Sequence, residues 1–127
     1  MGTYYQYTNY TKKEIICCSG IASIKWGAFA GWSLQGAILN TFLGFDWRGS
    51  NKYPCWSGRW KGDKIALEAD CDDNESDDWE TVKDVGEEFI IVLRDKGILN
   101  EWLNLAGVRD KVMMGEIEKL GRLSHSP

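Results

Sequence analysis

Proline is scarce in this chain, with two residues, and histidine scarcer still, with His125 alone in the C-terminal tail. Without proline-rich stretches, and with ordinary apolar and charged content, the composition is that of a folding chain rather than a disordered one. A single histidine in a polar tail leaves no obvious member for a Ser-His-Asp arrangement or a histidine general base. The four cysteines, Cys17, Cys18, Cys55 and Cys71, form no CxxC pair. Reduced, partly buried thiols are therefore expected rather than a disulfide framework or a zinc site. The opening residues MGTYYQYTNYTKKE lack the apolar core and cleavage site of an export signal, so an intracellular, cytoplasmic protein is expected. Gln6 stands where a myristoylation motif following Gly2 wants Ser or Thr. No internal repeat is present, and the glycines around Trp26 to Gly36 lack the order of a phosphate-binding loop.

What the chain does have is 127 residues, enough for one core, read as a single domain over residues 1–123 with a frayed tail over 124–127. Alternating Tyr5 and Tyr7 against Tyr4, Gln6 and Thr8, followed by Glu14, Ile15 and Ile16 after a polar break at Asn9 to Lys12, predict a β-hairpin within Thr3 to Cys18. From Ser19 to Phe45 only Lys25 is charged. Ser33, Gln35, Asn40, Thr41 and four glycines argue against a membrane span there, because each would leave lipid with polar groups or a weakened helix. The spacing of Leu34, Ala37, Ile38, Thr41 and Phe42 instead predicts an apolar core helix over about 33–43, capped by Ser33 and ended by Gly44. A second short apolar helix is expected over Ile21 to Ala30.

Residues 46–62 have no period and read as a long surface loop. Lys64 to Asp70 alternates as a strand with Ile65, Leu67 and Ala69 inward against Ala66 and Glu68. An acidic loop follows over residues 70–78, and residues 79–85 fit either a strand or the start of a helix. A helix over Gly86 to Lys96 stopped by Gly97, a short helix over Ile98 to Leu105 carrying Trp102, and a last helix from Val108 to Leu123 complete the chain. Strands early and helices late make the fold class α+β, with a small antiparallel sheet including the N-terminal hairpin.

Two segments, Tyr4 to Glu14 (with its Asn9-Tyr10-Thr11-Lys12-Lys13-Glu14 turn) and Gly58-Arg59-Trp60-Lys61-Gly62-Asp63-Lys64-Ile65, resemble a family of small single-domain proteins. Its members open with an aromatic strand and an Asn-x-Thr-Lys-Lys turn and later carry a Trp-x-Gly-Asp-Lys/Arg-Ile step. The resemblance covers about a fifth of the chain and implies no activity, since that family has no assigned function. On physical grounds the step is a tight turn at Gly62 and Asp63 into the strand, covered by Trp60.

Charge is segregated. Arg48, Lys52, Arg59, Lys61 and Lys64 oppose only Asp63 between positions 48 and 64, whereas between Glu68 and Glu88 eleven acids oppose only Lys83, in a chain of net charge -4. The basic stretch is interleaved with Trp47, Tyr53, Trp56 and Trp60. Exposed Trp and Arg residues suit a protein interface, so Trp47, Arg48, Tyr53, Trp56, Arg59, Trp60 and Lys61 form the candidate partner-binding set of a non-catalytic protein-interaction module. The same mixture of cations and flat rings suits single-stranded nucleic acid, which is the alternative, although the acidic pI speaks against it. A carboxylate or metal-dependent hydrolase built on Asp63 with Glu68 or Asp70 is a further alternative. Asp70, Asp72, Asn74, Ser76 and Asp78 alternate as calcium-loop ligands do, but Glu75 and Thr81 stand where that motif needs Gly and Glu, so a solvated acidic loop is expected. No cofactor is expected.

Overall fold

The structure, a computed structural model, describes residues 4–19, 33–44, 56–70, 73–106 and 108. The expected helices over 21–30 and 108–123, and Trp47, Arg48 and Tyr53, lie outside the described residues, apart from Val108. Strands β1 (Tyr5–Asn9) and β2 (Glu14–Ile16) form the expected hairpin, paired antiparallel with Tyr7 opposite Ile16 and Asn9 opposite Glu14. Asn9 shapes the turn with its side chain, whose Oδ1 accepts from the Lys12 amide at 2.8 Å. The residue that adopts the left-handed conformation is Lys13, at φ 56°.

Strand β3 (Ile65–Ala69) runs antiparallel to β1, with Tyr5 opposite Ala69 and Asn9 opposite Ile65. The two-residue strand β4 (Lys83–Asp84) pairs parallel to β2, giving a mixed sheet of order β3-β1-β2-β4. Among the described residues three α-helices accompany it, α1 (Leu34–Phe42), α2 (Val85–Asp95) and α3 (Leu99–Leu105), so the fold is α+β. The ambiguous stretch 79–85 thus ends as a strand that passes directly into a helix. No helix among the described residues is long and apolar enough to cross a membrane.

The starts of α1 and α2 and the end of α1 have local causes. Ser33 Oγ accepts from the Gly36 amide at 3.0 Å, and Gly44, at φ 103°, follows the last turn of α1. Asp84 caps α2 by accepting from the Glu87 amide at 3.2 Å. The same carboxylate accepts from the Cys17 and Cys18 amides at 3.3 and 2.8 Å, which fastens the exit of β2 to the entry of α2. Gly86 makes that junction tight, since a Cβ there would lie 2.8 Å from Ile16 Cγ2 and 3.3 Å from Ile16 Cα.

The core forms where α1 and α2 cover the sheet, chiefly over β2. Ile16, Leu34, Ile38, Phe42, Phe89 and Trp102 are all buried in it. Rings stack edge-on through it, with Phe42 to Phe89 at 5.6 Å and Phe89 to Trp102 at 5.3 Å between centroids. The expected inward set on β3 requires a correction. Ile65 packs against the core and Ala69 is buried, but Leu67 is 41% exposed while Glu68 is 4% exposed. The helices concentrate on β2 and leave Leu67 uncovered on the far strand. The opposite face, bearing Glu68, is covered by residues 74–79.

Candidate functional site

The Gly58 to Lys61 turn is built onto the end of α1. The Gly58 amide donates to Thr41 O at 2.9 Å, a carbonyl that also accepts from the Gly44 amide at 3.0 Å, and the Trp60 amide donates to Phe42 O at 2.8 Å, so the turn takes up carbonyls at the helix end. This docking carries the aromatic residues inward. Trp60 is 0% exposed and Trp56 9%, and both pack on Phe42 at 5.4 and 5.8 Å. The expectation that Trp56 and Trp60 stand on the surface is thereby corrected: the loop wraps the helix end, and burying two indoles there completes the core.

Arg59 is held rather than displayed. Its Nε donates to Glu14 Oε1 at 3.1 Å, a second guanidinium nitrogen pairs with Glu14 Oε2, and the guanidinium lies 5.0 Å from the Trp56 ring centroid. Trp60 Nε1 donates to the same Glu14 Oε1 at 2.9 Å. Burial pushes the Glu14 carboxyl up, but the hydrogen bonds from Arg59 and Trp60, with the charges of Arg59 and Lys12, outweigh it and hold Glu14 below its ordinary value.

The outward face of this turn is cationic. Lys61 is exposed, and Lys64 is exposed with its ammonium over the Tyr10 ring. The hairpin turn lies alongside, joined by Tyr10 N to Lys64 O at 2.9 Å and Lys64 N to Thr11 Oγ1 at 3.0 Å. Lys12 and Lys13 are therefore brought to the same end of the sheet, with Lys12 paired to Asp63. Hydrogen bonds from Lys12 and Asn9 hold Asp63 below its ordinary value. Of the sequence-derived binding set, the structure gathers Trp56, Arg59, Trp60 and Lys61 in one turn and presents Lys61 outward.

Glu68 organises the opposite face of the sheet. Its Oε1 accepts from Thr8 Oγ1 at 2.6 Å, Ser76 Oγ at 2.6 Å and Gln6 Nε2 at 3.2 Å, and its Oε2 accepts from Tyr10 OH at 2.6 Å. Burial pushes this carboxyl up, yet the four donors prevail and hold it below its ordinary value. In return Tyr10 is pushed up to about 12, first by its hydrogen bond to Glu68. Residues 74–79 close over this cluster through Asn74 Nδ2 to Ala69 O at 2.7 Å and an edge-on contact of Trp79 with Tyr10. At the start of β1 they leave a cleft of about 290 Å³, lined among others by Tyr4, Tyr5, Glu68, Asp70, Asn74 and Asp77.

These placements bear on chemistry. Asp63 and Asp70 flank β3 at opposite ends, roughly 20 Å apart at strand rise, so they share no site. Asn74 and Ser76 spend their side chains on Ala69 and Glu68, and no group of three or more His, Cys, Asp or Glu among the described residues is placed to hold a metal ion. Cys17 and Cys18 are free, and burial followed by the Asp84 charge pushes both thiols up, the reverse of an activated nucleophile. Sequence reasoning missed Glu14 and Glu68 as hubs. The available signal was the alternation of Gln6, Thr8 and Tyr10, three donors at every second position along β1 and into its turn. Comparison with protein-family models, with curated proteins and with solved structures finds no match to this chain.

Proposed function

We propose that the chain is a non-catalytic protein-interaction module that presents the cationic end of its sheet, Lys12, Lys13, Lys61 and Lys64, to an acidic segment of a protein partner. The observation that carries this reading is the anchoring of the 56–64 turn. Trp56 and Trp60 are sunk in the core and Arg59 is clamped by Glu14, so the neighbouring lysines extend from a fixed base. Complementary charge on such a surface steers encounter and sets specificity. The two buried carboxylates support it from the other side, because their oxygens are occupied by structural donors rather than offered to a reaction. Inward indoles also weigh against stacking on nucleic-acid bases, which needs exposed rings.

A fluorescein-labelled peptide rich in Asp and Glu tests this by anisotropy. The native chain binds it with an affinity that falls as salt rises. The Lys13→Glu, Lys61→Glu, Lys64→Glu triple variant loses affinity by about tenfold or more. Equal binding by the triple variant, or preference for a single-stranded oligonucleotide over the acidic peptide, contradicts the proposal.

A further inference from the structure

We propose that this chain forms a two-fold symmetric dimer through the outer edge of β3, which pairs antiparallel with the same strand of a second copy and joins the two sheets into one. The two edges of the sheet differ. β4 is two residues long, too short to template a further strand, whereas β3 runs over five residues in unbroken register with β1. The Tyr10 amide donates to Lys64 O and the Asp70 amide to Tyr4 O, each at 2.9 Å. Antiparallel ladders alternate, so Lys64, Ala66, Glu68 and Asp70 turn their backbone groups toward β1 while Ile65, Leu67 and Ala69 turn theirs away. Among the described residues the one outward partner is Asn74, whose Nδ2 donates to Ala69 O at 2.7 Å, and the N–H and C=O groups of Ile65 and Leu67 stand open. Proteins commonly blunt such an edge with proline, a bulge or a charge. β3 has no proline and no bulge, and its one charged side chain, Glu68, is turned onto its own donors at 4% exposure. At the middle of the strand stands Leu67, 41% exposed.

The occupant follows from the order of the residues. A two-fold axis through Leu67 sets the segment from Lys64 to Asp70 against itself in reverse: Leu67 meets the partner's Leu67, Ile65 meets the partner's Ala69, and Lys64 meets the partner's Asp70. Apolar residues face apolar residues at the centre, and opposite charges, both exposed, close the two ends of the pairing. Neighbouring registers lack this match. An axis at Glu68 would set that carboxylate against its own copy. An axis at Ala66 would offer Lys64 the partner's Glu68, a residue whose two oxygens already receive Thr8, Gln6, Ser76 and Tyr10. The dimer stands apart from the lysine surface proposed above, because Lys12, Lys13 and Lys61 lie off β3, and either reading can fail without the other.

The test follows the full chain by sedimentation velocity over a concentration series. The native chain passes from monomer to dimer with a dissociation constant below about 100 µM. Leu67→Lys and Leu67→Glu change an exposed side chain, so the fold persists. Each sets like charges across the axis and raises the dissociation constant by about tenfold or more. Mixed in equal amounts the two variants pair again, because lysine then faces glutamate across the axis, a restoration that a contact surface elsewhere on the molecule would not give. In the native chain the Ile65 and Leu67 amides exchange with deuterium more slowly at dimer than at monomer concentrations. A native chain that stays monomeric up to about 1 mM overturns the proposal. So do variants that dimerise as the native chain does, a mixture that remains monomeric, or edge amides that exchange alike at both concentrations.

Discussion

Glu14 and Glu68 show how a carboxylate can be worth burying when several donors converge on it. Glu14 receives Arg59 and Trp60, and Glu68 receives two hydroxyls, a phenol and an amide. Removing Glu14 as Glu14→Ala leaves a guanidinium and a buried indole N–H without their acceptor. A loss of about 3 kcal/mol or more is expected in urea unfolding, and Glu14→Gln, which keeps one accepting oxygen, loses less. Both carboxyls are held below their ordinary values, so the folded state takes up protons less readily than the unfolded one. Their contribution is complete above the ordinary carboxylate range and disappears as pH falls through and below it. Tyr10 has the opposite sign: its contribution is complete below pH 10 and is lost as pH rises toward its folded value of about 12. Thermal melts against pH should be flat near neutrality and fall at both extremes, with Glu68→Gln removing part of both slopes.

At the scale of elements, the junction of β2 with α2 leaves no room for a side chain at Gly86. Gly86→Ala would gain about 1 kcal/mol of helix propensity on an open helix. Here the added methyl meets a branched side chain and strand backbone, and the expected result is a net destabilisation of about 1–3 kcal/mol by urea unfolding. A neutral or stabilising effect would mean that α2 sits further from Ile16. The hairpin, α1, α2 and α3 were legible in the sequence because their apolar residues repeat at the period of their own geometry and local signals bound them, such as the cap Ser33 and the stops Gly44 and Gly97. Strand β4 was not, since two residues have no period and their pairing depends on β2, nearly seventy positions earlier. Glu68 was hidden for the same reason: alternation assigned it to solvent, whereas Thr8 and Ser76, distant in sequence, enclose it. The loop indoles looked like surface anchors because local sequence does not reveal that the C-terminal carbonyls of α1 bind their turn. The charge segregation was legible directly.

For the whole molecule, the folded sheet converts that sequence segregation into two different ends. The hairpin turn and the 58–64 turn collect lysines at one end, while Tyr4, Asp70, Asn74 and Asp77 line the acidic cleft at the other. Residues fixed at the lysine end by the core are the proposed partner surface, and the most direct test is to map where an acidic peptide lands. Backbone amide shifts of the nitrogen-15-labelled chain, recorded with the peptide at low and at high salt, should change at residues 11–13 and 61–64 and revert as salt rises, while the Gln6 and Asn74 signals remain still. Shifts concentrated elsewhere, or no shifts at low salt, would contradict the assignment of this end of the sheet as the interaction surface.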